Sequence, residues 1–310
     1  MFKEPINCSL IIPTYRRQTD LAKCLDSVKN LKYQFKEVII VVRENDSETI
    51  DYLNGISQTY TSVAQPGQIA AIRKGIEKAT GEIVVFIDDD TEVDDQWIAF
   101  SIVHFQNPNV GAVGGKDFQP SNRSVGNLAK VGKFTRRGKL IGNHHLSNRT
   151  SENVNFLKGC NMFIRQHLLH KINPILDYLQ GDGAQLGNDL VISITSNLCG
   201  FQTIFDSRVR LIHHASARPG QSREYTNHKT RDQEIFNIWL IKIAFARKYY
   251  LLLVILYGIL VGDRQTPGLV KSFQLHKTSF GIIRKEIISN LRAFKQAFPL
   301  ASRYRQPLSK

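Results

Sequence analysis

The sequence predicts an α/β protein: a mostly parallel sheet with helices on both faces, followed by a helical C-terminal region. Three observations predict it. Short β-branched and aliphatic runs alternate with segments of helical periodicity through about the first hundred residues. Polar clusters follow those runs, where loops beyond the carboxyl ends of parallel strands carry ligands. The end of the chain is apolar and basic at helical spacing.

Cys8 to Ile12 reads as a buried strand running into Pro13-Thr14-Tyr15-Arg16-Arg17, after which Leu21, Leu25, Val28 and Leu31 recur at helical spacing. Glu37 to Val42 is a second strand, and after its Arg43-Glu44-Asn45-Asp46 turn Ser47 is expected to cap a short helix through Leu53. A third strand is expected near Tyr60 to Ala64, and Pro66-Gly67 opens a helix carrying Ile69, Ile72 and Ile76. The fourth strand, Ile83 to Ile87, is the most sharply bounded, because it runs directly into Asp88-Asp89-Asp90. Trp97 to Phe105 continues as a helix and Val110 to Gly115 as a strand with close backbone packing. Lys116 to Asn155 is rich in Gly, Asn, Ser, Arg and Lys and reads as a long irregular excursion, with His144 and His145 expected in solvent. Phe156 to Arg165 is expected as a strand in which Gly159 allows close ligand approach. An apolar helix then ends at Gly200, and two short strands, Phe201 to Phe205 and Ser207 to Ile212, lead to His213-His214.

Three adjacent carboxylates at the mouth of a buried strand repel one another, so a fold that places them there commonly supplies a cation; hard oxygen ligands favour Mg²⁺ or Mn²⁺. The alternative is a solvated acidic turn before a helix N-terminus. Tyr15 and Arg16, Asp46, Arg73 and Asp88 to Asp90 all follow strands or lie on the helix leading from one, an arrangement suited to a nucleotide. No G-x-x-x-x-G-K-[ST] and no G-x-G-x-x-G follows the first strand, which disfavours P-loop and dinucleotide sites. Net charge is +14, but Arg264 to Lys310 alone holds ten basic residues and one acid, Glu286, so the basic character is mainly C-terminal. It carries no nucleic-acid motif, and nucleic acid is not expected as a partner. Cys8, Cys24, Cys160 and Cys199 are widely spaced without C-x-x-C, which indicates neither a zinc site nor a disulfide framework and points to a reducing, cytoplasmic setting. Leu10-Ile11-Ile12 is cut by Pro13, too short for a signal-peptide core.

On these residues the chain resembles a family 2 glycosyltransferase with the GT-A fold, a Rossmann-like sheet. The matching stretches are Ile11-Ile12-Pro13-Thr14-Tyr15-Arg16, Asp46 after the second strand, Gly67 to Gly75 with Arg73, and Asp88-Asp89-Asp90 at the position of the family's D-x-D motif. The Arg43 to Asp46 turn departs from the shorter Asp-Asp-Gly-Ser of many members. The resemblance implies a nucleotide-sugar site at Pro13, Thr14, Tyr15, Arg16, Asp46, Arg73, Asp88 and Asp89. It also implies a divalent cation, Mn²⁺ or Mg²⁺, at Asp90 with Asp88 and a histidine, His214 or its neighbour His213. The strand with Gly159, Cys160 and Asn161 would lie under the acceptor. Asn188-Asp189 stands where the family carries an acidic pair whose second member is the catalytic base; Asp189 keeps that place and Asn188 replaces the usual acid, with Asp182 as a second candidate. Asn188 cannot raise the Asp189 pKa by charge, so burial or hydrogen bonding must do so. Asp189 could instead cap its helix. Ala215 to Arg231 would suit a lid over a diphosphate, and the absence of Q-x-x-R-W implies a single transfer per binding event.

Tyr249 to Val261 is an uncharged run of 13 residues, shorter than the roughly 20 needed to span a bilayer, and suits an interfacial hairpin or a buried helix. Phe280, Ile283, Ile287, Leu291, Phe294 and Phe298 recur at helical spacing beside Arg284, Lys285, Arg292 and Lys295. Docking to the cytoplasmic face of an anionic membrane is expected. The expected organisation is a catalytic domain over 1–232, divided into a nucleotide-sugar half (1–115) and an acceptor-side half (116–232), then a helical basic region over 233–310. The expected function is inverting transfer of a sugar from a nucleotide-diphosphate donor to the hydroxyl of a glycan or lipid-linked acceptor. A non-catalytic, membrane-docked sugar-nucleotide or glycan-binding subunit is the alternative.

Overall fold

Alternation along β1 (Cys8–Thr14) sends Leu10 and Ile12 to one face of the sheet and Ile11 to the other, and the rest of the fold is built on that division. The computed structural model describes residues 6–119, 130–214, 228–276 and 279–308. After β1 come α1 (Gln18–Lys29), β2 (Glu37–Arg43), α2 (Ser47–Gly55), β3 (Tyr60–Val63), α3 (Gln68–Lys78), β4 (Ile83–Ile87), β5 (Thr91–Glu92), α4 (Asp95–His104) and β6 (Val110–Phe118). The excursion contributes β7 (Lys133–Phe134), β8 (Leu140–Ile141) and β9 (Glu152–Asn153). Then follow β10 (Asn161–Arg165), α5 (Gln166–Leu169), α6 (Asn188–Leu198), β11 (Gln202–His213), α7 (His228–Phe245), α8 (Leu251–Leu256), α9 (Leu269–Leu275) and α10 (Phe280–Arg303).

The main sheet runs β3-β2-β1-β4-β10-β6-β11-β5, with β9 beside β11. Neighbours from β3 to β4 are parallel, as are β6 and β11; β10 lies antiparallel between β4 and β6. Leu10, Ile12, Val85 and Ile87 pack with Leu21 and Leu25 of α1 and Trp97 of α4. Ile11, Val84 and Phe86 pack with Ile69 and Ile72 of α3, Val191 and Ile194 of α6, and α7. Antiparallel β10 matters for the site, because Asn161 pairs with Ile87 and the turn before β10 therefore lies beside the acids that follow β4.

Several local expectations change. Asp46, not Ser47, caps α2, its side chain accepting from the Thr49 N–H. Only Asn161 onward is strand; Gly159 and Cys160 form a turn ahead of it. The two short strands expected near 201–212 are one strand, β11, whose register against β6 shifts between Asp206 and Arg210. Gly115 makes that bulge possible: a Cβ there would lie 1.7 Å from the Val209 carbonyl oxygen. His144, expected in solvent, is buried beside Phe156 and Phe205, because the excursion folds back onto the sheet through β9.

The boundary expected at 232 falls within α7, whose Ile235, Trp239 and Leu240 share the core with the sheet and α6. Trp239 Nε1 donates to Asn290 of α10 at 2.7 Å, and Asn290 Nδ2 donates to the Gly258 carbonyl at 3.1 Å. Buried Lys242 is satisfied by Asp263 at 2.8 Å and Thr266 at 2.5 Å. The Tyr249 to Val261 run forms a 3₁₀ turn, α8 and a π turn, and no helix among the described residues is long and apolar enough to cross a membrane.

Burial pushes the His144 imidazole down to about 4, with its Nε2 3.2 Å from the Phe156 carbonyl oxygen. Its folded pKa lies below the unfolded value, so the neutral ring's contribution is full above pH ~6.5 and is lost as pH falls towards 4. Urea unfolding of the parent and His144→Gln at pH 7.5 and 4.5 should show about 3 kcal/mol of the parent's acid-induced loss missing in the variant. Equal losses in both would remove His144 as the cause.

Candidate active site

Parallel pairing of β1 with β4 puts the Pro13 to Arg17 loop and Asp88 to Asp90 on one edge of the sheet. Arg16 has φ 54°, a conformation rare for a residue with a side chain, and its N–H donates to Asp46 Oδ2 at 2.5 Å. Arg17, the next residue, reaches the acids. Its Nη1 donates to Asp89 Oδ1 at 2.6 Å and its Nη2 to Asp90 Oδ2 at 2.7 Å, while Thr14 Oγ1 donates to Asp89 Oδ2 at 2.8 Å. Burial raises Asp89, to about 7, against the lowering by Arg17 and Thr14. Burial acts on Asp90 in the same sense, but His213 and Arg17 outweigh it and hold Asp90 well below the usual carboxylate range.

Above these groups lies a cleft of about 300 Å³ lined by Pro13, Thr14, Tyr15, Arg43, Asp88 and Asp89 among others. Tyr15 is flanked by two guanidinium groups, Arg16 at 5.1 Å and Arg43 at 4.9 Å from the ring centroid. Two residues expected here are elsewhere. Asp46 is buried, its carboxylate committed to the α2 cap, the Thr49 hydroxyl and the Arg16 N–H. Arg73 lies on the outer side of α3, paired with Asp177 at 2.7 Å. Arg43, from the divergent turn, and Arg17 supply guanidinium groups to the cleft instead.

His213, not His214, faces the acids: its Nε2 is 3.2 Å from Asp90 Oδ1, while the His214 ring turns outward to Glu92 at 2.7 Å. Successive side chains at the end of β11 point to opposite sides, so one of the pair must face away. Asp88, Asp90 and His213 each offer a ligand atom, all within 4.8 Å of one another. Two carboxylates and an imidazole suit Mn²⁺ well. A second group, Asp117, Cys160 and His213, satisfies the same distance criterion on the other edge of the imidazole, with Asp117 also held by Lys158. Burial alone would lower His213, yet its contacts with Asp117 and Asp90 push it up to about 12.

The other wall is the start of α6. Gly187, in a left-handed conformation with φ 93°, is the N-cap, so Asp189 is not spent as the helix cap. The Asp189 carboxylate accepts from the Gly159 N–H at 3.2 Å and its neighbour Leu190 N–H at 2.8 Å. A Cβ on Gly159 would lie 3.1 Å from the Asp189 Cβ. Burial raises the Asp189 pKa, and the nearby charge of Asp88 adds to it, against the two N–H groups and Lys158. Asn188 Nδ2 donates to Gln68 Oε1 at 3.1 Å, and Gln68 Nε2 reaches Asp88 Oδ1 at 3.5 Å, linking the two walls. Of the residues expected in a strand under the acceptor, Gly159 faces Asp189 and Cys160 faces His213. Asn161 is turned away, accepting from Trp97 Nε1 and donating to the Val209 carbonyl. Asp182 lies exposed at the cleft lip, 3.9 Å from Lys229. Residues 215–227 of the expected lid lie outside the described residues.

Residues 9–172, more than half of the chain, match the family described as Glycosyl transferase family 2. The chain belongs to that family. Among curated proteins, this glycosyltransferase is 26% identical over 262 residues to glycosyltransferase AglE of Haloferax volcanii, covering 81% of each chain. It is 23% identical over 206 residues to the poly-beta-1,6-N-acetyl-D-glucosamine synthase of Staphylococcus epidermidis, covering 64% of this chain and 48% of that protein. Solved structures of like fold include a mannosyltransferase from Pyrobaculum calidifontis in complex with GDP-Man and Mn²⁺ (TM-score 0.53, 17% identity, 97% of this chain and 74% of that one). Another is S. aureus TarS 1–349 in complex with UDP-GlcNAc (TM-score 0.59, 14% identity, 97% and 84%). At these identities the structures establish the GT-A architecture of the glycosyltransferase and nothing finer.

Removing Arg17 from the glycosyltransferase leaves Asp89 and Asp90 buried together without their shared cation. Arg17→Ala should lower unfolding free energy by about 3–5 kcal/mol. Urea denaturation at pH 7 checks this, and a loss below ~1 kcal/mol would show that the pair is not carrying the acids.

Proposed function

We propose that the protein is an inverting glycosyltransferase that takes a sugar from a nucleotide-diphosphate donor to an acceptor hydroxyl, with a divalent cation, Mn²⁺ or Mg²⁺, held at Asp88, Asp90 and His213. One observation carries this reading: Asp189, a carboxyl whose pKa is raised by burial, lies close enough to Asp88 to feel its charge, and Asp88 belongs with Asp90 and His213 to a group that could hold a metal ion. Donor binding at the cleft is supported by the nucleotide-sugar complexes of the structural neighbours. In this reading residues 1–115 are the donor half, 116–232 the acceptor half and 233–310 a region for peripheral attachment to the cytoplasmic face of a membrane. A glycan acceptor fits the name of one relative, a poly-beta-1,6-N-acetyl-D-glucosamine synthase, and a lipid-linked acceptor suits peripheral membrane attachment.

Tyr15, with Arg16 over its ring, and Arg43 stand on the side suited to the base, and Asp88 on that suited to the ribose. When bound, the cation offsets charge on the leaving diphosphate. Asp189 accepts the acceptor hydroxyl's proton as that oxygen bonds to the anomeric carbon and the bond to the diphosphate breaks on the opposite face, inverting the configuration. Its raised pKa suits this role, since a stronger base takes the proton more readily. The Gly159 N–H fixes the carboxylate's direction.

Asp189→Asn should lower kcat by about 10²–10⁴-fold in assays with nucleotide-sugar panels, while donor-induced thermal stabilisation persists. Near-normal turnover would remove Asp189 from the base role.

A further inference from the structure

The C-terminal helices leave two features unused by the transfer chemistry: a ridge of exposed apolar side chains and a basic groove beside it. Leu252, Leu256 and Leu260 from α8 and its π turn, Phe273 of α9 and Phe280 of α10 are all exposed, Phe280 by 78% and Leu252 by 68%. Large aliphatic and aromatic groups gathered on consecutive helices and left in water mark an interaction surface. The groove, about 760 Å³, lies between the first turns of α7, the end of α9 and the first half of α10. Leu275, Ile282 and Ile288 form apolar walls, and Arg264, Lys285 and Arg292 stand exposed at its rim with no ion-pair partner among the described residues.

The groove's acids are already engaged. Glu286 lies 3.7 Å from Arg231 and 3.2 Å from His276, and Asp232 accepts from the Ser289 hydroxyl. The remaining charge is positive, beside apolar walls and continuous with an apolar ridge. An anionic headgroup on a hydrocarbon chain has this complementary chemistry; a free anion would leave the walls and ridge uncovered. Position supports the same occupant: Lys229, two residues before Arg231 in α7, is 3.9 Å from Asp182 at the lip of the donor cleft. The first turn of α7 therefore borders both the cleft lip, through Lys229, and the groove, through Arg231.

We propose that this groove seats the phosphate of a membrane lipid while the ridge enters the bilayer surface, so that the donor cleft works on acceptors presented by phosphate-bearing lipids. The proposal rests on the transferase reading and sharpens its acceptor class. The test is flotation of the full chain with neutral phosphatidylcholine vesicles and with the same vesicles doped with phosphatidate, with and without millimolar inorganic phosphate. Binding should require phosphatidate and resist inorganic phosphate. Lys285→Gln/Arg292→Gln should weaken it about 30-fold, and Phe273→Asp/Phe280→Asp should also weaken it, with donor-induced thermal stabilisation retained in both. Retention of that stabilisation separates this claim from the transferase reading. Equal binding to neutral vesicles, no binding to either, or parent-like binding by the charge variant overturns the proposal. Full competition by inorganic phosphate overturns it in favour of a soluble anion.

Discussion

The structure depends on how one run of acids is neutralised. Asp88 to Asp90 emerge from β4, whose residues are all buried, into surroundings where two of the three have almost no contact with water. Without nearby cations, such a turn would keep its protons or open the sheet edge. Arg17 and His213 prevent that from opposite sides, one following β1 and the other ending β11. β1 lies beside β4 in the sheet, and the end of β11 reaches the acids because it pairs with β5, with His213 opposite Thr91. In the proposed function the same acids, with His213, receive a divalent cation, so the charge that must be balanced for folding also serves transfer.

The second wall solves a different problem. Asp189 loses the acidic neighbour common in the family, and its raised pKa comes from burial instead. Asn188 serves as a connector, reaching Asp88 through Gln68. An amide here can link the walls without adding a fifth carboxylate to Asp88, Asp89, Asp90 and Asp189. The C-terminal helices belong to the same core rather than standing apart: α7 packs on the sheet's face, and α10 is tied to it through Trp239 and Asn290. Any surface those helices present is thereby packed against the same core as the cleft.

The strands and helices of the first half were legible in the sequence because full burial and helical periodicity leave strong local patterns, as in Ile83 to Ile87 or Leu21 to Val28. Family membership was legible through motif order, from Ile11 to Arg16 and on to Asp88 to Asp90. Arg17 was not singled out, because its partners lie more than 70 residues away and Arg16 beside it has the same chemistry. Choosing between His213 and His214 requires the side-chain parity at the end of β11, and the bulge at Asp206–Arg210 makes that parity unreadable by simple counting. Asp46 and Arg73 occupy motif positions, yet their side chains are used by a helix cap and a surface ion pair. Position in a motif does not reveal where a side chain points. His144 failed for a related reason: a polar stretch that folds back onto a sheet buries what its composition suggests is solvated.

The most direct test is Mn²⁺ affinity, measured by calorimetry on the parent, His213→Ala and His214→Ala. The result predicted is that His214→Ala binds as the parent does, while His213→Ala binds markedly more weakly. Equal affinity in all three, or a loss confined to His214→Ala, would contradict the assignment of His213 to the acids at the end of β4.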